Sequence, residues 1–299
     1  MSVSLKPLNQ QVMVITGASS GIGLATARAA ARQGARLVLV ARSGPTLEQI
    51  AREINETGGQ AIAVVADVGS RGEVANAAAA AVSHFGQIDT WVNDAGVSVY
   101  GRLEEVSEAD SRRLFDTNFW GVVNGSLAAL PHLRQHGGAL INVGSEVSES
   151  VIPLQGMYTA SKHAVKGFTD ALRVEVEELD KAPVSITLVQ PTAVDTPFPH
   201  NARNYMDKEP KLPSPMIDPE KVARAILKAA TKGARDVKVG VVAKLNTKAA
   251  SLAPSLADKV SAMQAGRQQL DEPPRDPDGN LYRPKGAGRV HGERPDPGR

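Results

Sequence analysis

Short apolar runs recur along the chain, separated by longer Ala- and charge-rich stretches with helical spacing. Val12-Met13-Val14-Ile15, Leu37-Val38-Leu39-Val40 and the runs at 61–66, 88–92, 139–143 and 184–189 are continuous rather than alternating. That is the pattern of parallel strands covered on both faces. Residues 24–33, closed by Gly34, then 45–56, ended by Gly58-Gly59, and 74–85 read as the intervening helices. The stretch 104–130 contains a long helix that Pro131 is expected to break or end. Only Gly167 weakens the helix over 158–170, and Asp218-Pro219-Glu220 opens another that runs to Lys232. A seventh strand is expected over 236–242. Alternation of this kind predicts an α/β doubly wound parallel sheet of about seven strands, with helices on both faces, as a single domain over 1–243.

Beyond the last strand the pattern weakens. Residues 191–216 hold six prolines and read as a loop, while 244–270 form a helical C-terminal extension, with a hairpin over 244–263 interrupted at Pro254. The 29 residues of 271–299 carry six prolines, five glycines and six side chains of each charge, so they are expected to be extended or disordered.

Overall charge adds little. With 34 basic and 32 acidic residues the net charge is +2, which offers no basic surface for nucleic acid or membrane. The absence of cysteine removes disulfides, thiolate nucleophiles and Cys-based zinc sites, and the 6 histidines show no metal-binding spacing. No leader-like segment or spanning apolar run is present, so a soluble, cytoplasmic protein without a metal is expected.

The chemical candidates gather where the predicted strands end. After the first strand comes Thr16-Gly17-Ala18-Ser19-Ser20-Gly21-Ile22-Gly23, leading straight into a helix. Backbone N–H groups at such a helix start can approach a pyrophosphate because glycines put no Cβ in the way. Arg42 follows the second strand, 19 residues beyond Gly23, where Ala41 leaves no acid for a ribose 2′-hydroxyl. An arginine here suits a 2′-phosphate and points to NADP(H) over NAD(H); the other reading is a solvated arginine at a strand exit. Asp67, followed by Val68, either accepts from an adenine amino group or caps the next helix. Asn93-Asp94-Ala95-Gly96 ends the fourth strand with small residues that let the chain pass close to a cofactor, although Asn93 equally suits tying backbones together. Asn118 lies in the long helix, and Ser145 stands thirteen residues before Tyr158. Tyr158 and Lys162 are four apart on one helical face, where an ammonium would draw a phenol's pKa down toward neutrality.

These residues, in this order and spacing, resemble the classical short-chain dehydrogenase/reductase family over roughly 11–242. The resemblance implies a Rossmann-type fold and an oxidoreductase acting between a carbonyl and a secondary alcohol. In it Tyr158 would be the acid/base, and Lys162 would lower its pKa and hold the nicotinamide ribose. Ser145 would bind the reacting oxygen, and Asn118 would position a water in the proton relay. It further implies cofactor contacts at Gly17, Ser19, Ser20, Gly21, Ile22, Gly23, Arg42, Asp67, Val68, Asn93, Ala95 and Gly96. Pro191 and Thr196 would flank the nicotinamide carboxamide, and 191–216, with Phe198, His200 and Tyr205, would be the substrate lid. The family's usual Asn-Asn-Ala-Gly is Asn93-Asp94-Ala95-Gly96 here, and Thr192 replaces the usual glycine after Pro191. Within the family the chain is similar to a bacterial subgroup with a C-terminal extension, for which no substrate follows. Apolar side chains beyond one face of the Asn118 and Tyr158 helices predict a homodimer or homotetramer. A cofactor-binding sensor or scaffold without turnover is the competing function.

Overall fold

The computed structural model describes residues 3–240, 243, 254–285 and 288–292. Its centre is a seven-stranded parallel sheet. The strands are β1 (Val12–Thr16), β2 (Arg36–Ala41), β3 (Gln60–Val65), β4 (Thr90–Asn93), β6 (Gly138–Val143), β7 (Val184–Pro191) and β9 (Asp236–Val239). A short separate pair joins β5 (Val99–Tyr100) to β8 (Arg203–Asn204). The order across the large sheet is β3-β2-β1-β4-β6-β7-β9, so the chain winds outward in one direction from β1 and in the other from β4. The crevice at the C-terminal ends of β1 and β4 is the topological switch point where such sheets take ligands.

Successive side chains of each strand face opposite layers, and this sorts the core. Met13, Ile15, Leu37 and Leu39 pack against α1 (Gly21–Ala31), α2 (Gly44–Glu56) and α7 (Pro219–Lys232). Val14, Val38 and Val40 face α3 (Arg71–Phe85), α5 (Gly121–His136) and α6 (Gly156–Arg173). Continuous apolar strands are the physical requirement for two covered faces.

Pro131 neither breaks nor ends its helix. The helical course runs from α4 (Glu108–Phe115) through a wide π turn at Asp116–Trp120 into α5, which passes Pro131 and continues to His136. Leu130 and Leu133, on either side of the proline, are both buried. Burying each is worth roughly 1.5–3 kcal/mol, comparable to the cost of about 3 kcal/mol for an interior proline.

The strand expected over 236–242 is seen over Asp236–Val239, and 241 and 242 lie outside the described residues. Of the expected hairpin, α8 (Pro254–Met263) is present, starting at the proline, and 244–253 lie outside the described residues. Among the described residues no helix is long and apolar enough to cross a membrane.

Candidate functional site

Two loops meet at the switch point. The hydroxyl of Thr16, at the end of β1, accepts from the N–H groups of Asp94 and Ala95, at 3.1 and 3.2 Å, beyond the end of β4. Gly17 has φ 72°, and a Cβ there would stand 2.9 Å from the Ala95 backbone. Gly21 also has positive φ, and a Cβ on Gly23 would meet the Gly17 carbonyl at 2.4 Å. Only glycine closes this turn. The turn delivers the chain to the start of α1, where Ser20 makes no side-chain cap. Apart from the Gly21 N–H, which donates to Arg289 O at 3.0 Å, the backbone donors at this helix start, in a cradle that side chains would fill, fit a phosphate-bearing dinucleotide.

A single cavity runs from this turn across the sheet edge. Gly17, Ser19, Ser20, Gly21, Ile22, Arg42, Asp67, Val68, Ala95, Gly96, Ser145, Tyr158, Lys162, Pro191 and Thr196 all line it. Gly23 stays behind the turn as packing. Asn93 is a correction to the expected cofactor contacts: its side chain is buried away from the cavity, accepting from Trp91 Nε1 at 2.8 Å and donating to Asn142 Oδ1 at 2.9 Å. It ties neighbouring strands and α5 together.

At the far end of β2, the Arg42 guanidinium donates to the backbone carbonyls of Leu281, at 3.0 Å, and Asn280. Burial lowers its pKa, Asp67 opposing and Arg113 adding to the effect. Asp67 does not cap α3, because Ser70 does so by accepting from the Glu73 N–H. Instead Asp67 accepts from Gly69 N–H and pairs with Arg113. Burial raises its pKa, but these donors outweigh it and hold the carboxylate below its ordinary range.

The candidate reacting groups stand where β6 ends and α6 begins. Ser145 and Tyr158 both line the cavity, close enough for the serine hydroxyl to lower the phenol's pKa, and Phe198 walls the tyrosine with ring centroids 5.6 Å apart. Lys162, one turn along α6, places Nζ 5.7 Å from the Tyr158 ring centroid and donates to Val143 O at 2.9 Å. The expected fall of the Tyr158 pKa is not what these groups produce. Burial pushes the phenol up to about 12, with the Ser145 hydroxyl opposing and the carboxylates of Asp94 and Glu146 adding. Burial also brings Lys162 down to about 8, against the attraction of Asp94. Desolvation is the largest cause in both, raising the phenol and lowering the ammonium. Asp94, where the family has asparagine, is itself raised to about 8 by burial, against Lys162 and the Gly23 N–H.

Asn118 sits within the π turn and does not line the cavity. Its Oδ1 accepts from Val97 N–H at 2.8 Å and its Nδ2 donates to Val97 O at 2.9 Å and Ser161 Oγ at 3.2 Å. It therefore links the β4–β5 connection to α6 directly behind Tyr158. Thr192 also has a role: its hydroxyl donates to Glu146 at 3.1 Å, and its methyl fills the space a Gly240 Cβ would need. Of the aromatic and histidine side chains in 191–216, Phe198 alone reaches the cavity. His200 pairs with Glu209, and Tyr205 donates to Asp110 at 2.7 Å. Sequence reasoning missed the cavity contacts of Asn280, Pro284 and Lys285, which come from the C-terminal segment. No periodicity marks them, and only their place in space distinguishes them.

Comparison with known proteins agrees with this geometry. A family model described as short chain dehydrogenase matches residues 11–207. The chain is 45% identical over 278 residues to YxnA of Bacillus subtilis, an uncharacterised oxidoreductase, covering 92% of this chain and 78% of the relative. Among solved structures, it is similar to an alcohol dehydrogenase from the archaeon Thermococcus sibiricus complexed with 5-hydroxy-NADP, at a TM-score of 0.67 and 32% identity, over 77% of this chain and 94% of that one. A short-chain dehydrogenase/reductase from Burkholderia phymatum in complex with NAD matches with a TM-score of 0.70 and 25% identity, over 93% and 99% of the two chains. Motifs, switch-point cavity and relatives agree, and the chain belongs to the classical short-chain dehydrogenase/reductase family of oxidoreductases.

Proposed function

We propose that the protein is an NADP(H)-dependent oxidoreductase that interconverts a carbonyl and a secondary alcohol, with Tyr158 as acid/base. The observation that carries this is the Ser145–Tyr158 hydroxyl pair inside the cavity, with Lys162 one turn away. A bound nicotinamide would supply or accept the hydride. In reduction Ser145 and Tyr158 polarise the carbonyl oxygen, and Tyr158 gives that oxygen its proton. A phenol held near 12 by burial remains fully protonated at neutral pH, ready to donate. The Lys162 ammonium is the nearby cation that stabilises the phenolate left behind. Asn118 holds the Tyr158 turn through Ser161, whose hydroxyl donates to Tyr158 O at 2.7 Å.

Arg42 at the exit of β2, with alanine in place of an acid before it, supports a 2′-phosphorylated cofactor. The 5-hydroxy-NADP of one solved relative is in line with this, and the NAD of the other makes the preference a matter for measurement. Tyr158→Phe should retain cofactor affinity and lose at least ~100-fold in turnover. A panel of ketones, aldehydes and alcohols read by NADPH absorbance supplies the assay. Full turnover in that variant, or none in the wild type with any substrate, overturns the reading.

Assembly through α5 and α6 belongs to the same proposal. Trp120, Leu127 and Val174 are 51%, 44% and 51% exposed along this face, which suits a two-fold partner.

A further inference from the structure

Residues 270–285 and 288–292 contain neither helix nor strand, yet they are pinned at both ends of the cavity. Leu281 is fully buried beside Val97, Val99 and Leu114. Asn204 N–H donates to Pro277 O and Asn280 N–H to Asn201 O, both at 2.8 Å, while the Tyr282 hydroxyl donates to Asp110 at 2.7 Å. Farther along, Arg289 O accepts from Gly21 N–H at 3.0 Å, and Gly292 N–H donates to Asp195 at 3.2 Å. Between these anchors, Asn280, Pro284 and Lys285 face the same cavity as the glycine turn and Arg42.

The segment also organises charge. Both guanidinium bonds of Arg42 end on its carbonyls, and Leu281 O takes Arg113 Nε as well, at 3.2 Å. Arg113 pairs with Asp67, and the Lys285 ammonium rests on Asp276 at the cavity edge. Of the charged side chains that line this end of the cavity, Arg42 and Lys285 outnumber Asp67. A cavity of about 230 Å³ remains beneath the segment, so the segment lines the site and does not fill it.

We propose that residues 277–285 form the outer wall of the dinucleotide site, fixing Arg42 through the Asn280 and Leu281 carbonyls and presenting Lys285 as a second cation to the ribose phosphate of a 2′-phosphorylated dinucleotide. This rests on the cofactor reading of the previous subsection. The backbone of the segment sets where Arg42 points, and its lysine adds a charge that NAD(H) has no group to use.

Dissociation constants for NADPH and NADH, measured by calorimetry on full-length wild type and on Leu281→Ala, Tyr282→Phe and Lys285→Ala, test it. Lys285→Ala should weaken NADPH about 5-fold and leave NADH nearly unchanged, the scale of a partly exposed ion pair. Tyr282→Phe should weaken NADPH by roughly 3- to 10-fold, and Leu281→Ala by more. Saturating NADPH should slow tryptic cleavage after Lys285 in the wild type. Should Leu281→Ala fail to fold, the other variants decide. Unchanged NADPH binding in Tyr282→Phe and Lys285→Ala overturns the wall, and tighter binding would make the segment a plug instead. A wild type that binds NADPH while the variants match it defeats this inference alone. A wild type that binds neither nucleotide defeats the cofactor reading with it.

Discussion

Replacing Asp94 with asparagine tests the electrostatics of the site most directly. The change keeps the side chain's shape and an acceptor for the Gly23 N–H, but removes the ionisable group beside Lys162. In the folded protein burial raises Asp94 from 3.8 to about 8. A raised folded pKa contributes stability that is complete below the unfolded value and is lost as pH climbs to the folded one. The wild type should therefore forfeit stability between pH ~4 and ~8, and the variant should not. At 1.36 kcal/mol per pKa unit the full shift sets a ceiling of roughly 5–6 kcal/mol. The asparagine must also satisfy its own amide in the cleft, at ~1–3 kcal/mol, so a net gain of at most about 2–5 kcal/mol near pH 8 is expected. Urea unfolding of both proteins from pH 5 to 9 reads this as a gap that widens with pH. Parallel curves across that range would refute the reasoning. A second consequence follows for activity: Asp94 is the group that opposes the fall of Lys162, so the variant should lose its ammonium at lower pH. The alkaline limb of carbonyl reduction should move down with it.

Arg42→Ala should cost about 10- to 150-fold in NADPH affinity and little in NADH affinity, the range of a charge-assisted hydrogen bond, with equal wild-type constants for the two cofactors counting against the idea. Trp120→Glu places a charge at the exposed end of the π turn that leads into α5 and should convert an oligomer into monomers in light scattering. A wild-type chain that already scatters as a monomer would defeat the expected pairing.

The strands, most helix boundaries and the glycine turn were legible in the sequence because each is set by neighbours a few positions away. Continuous apolar runs of strand length between turn residues suit strands covered on both faces, and a glycine triplet between strand and helix suits a phosphate-binding turn. The proposed catalytic residues were legible for a different reason, since their order and spacing resembled a family. What they do to one another was not. The Tyr158 phenol rises and does not fall, because desolvation depends on what closes over the site from distant segments. Pro131 stays within a helix because Leu130 and Leu133 are buried against the sheet, a gain no local propensity contains. Asn93 faces away from the cavity because Asn142, brought beside it by strand pairing, and Trp91, two residues back on the same face of its own strand, satisfy its amide. The C-terminal segment shows the limit most clearly. Its composition announces no element and no site, yet Leu281 finds an apolar pocket formed near Val97 and Leu114, and its carbonyl then meets Arg42, 239 positions earlier in the chain. Contacts across such a separation are fixed by the packing of the whole sheet and its helices, and a window of sequence holds no trace of them.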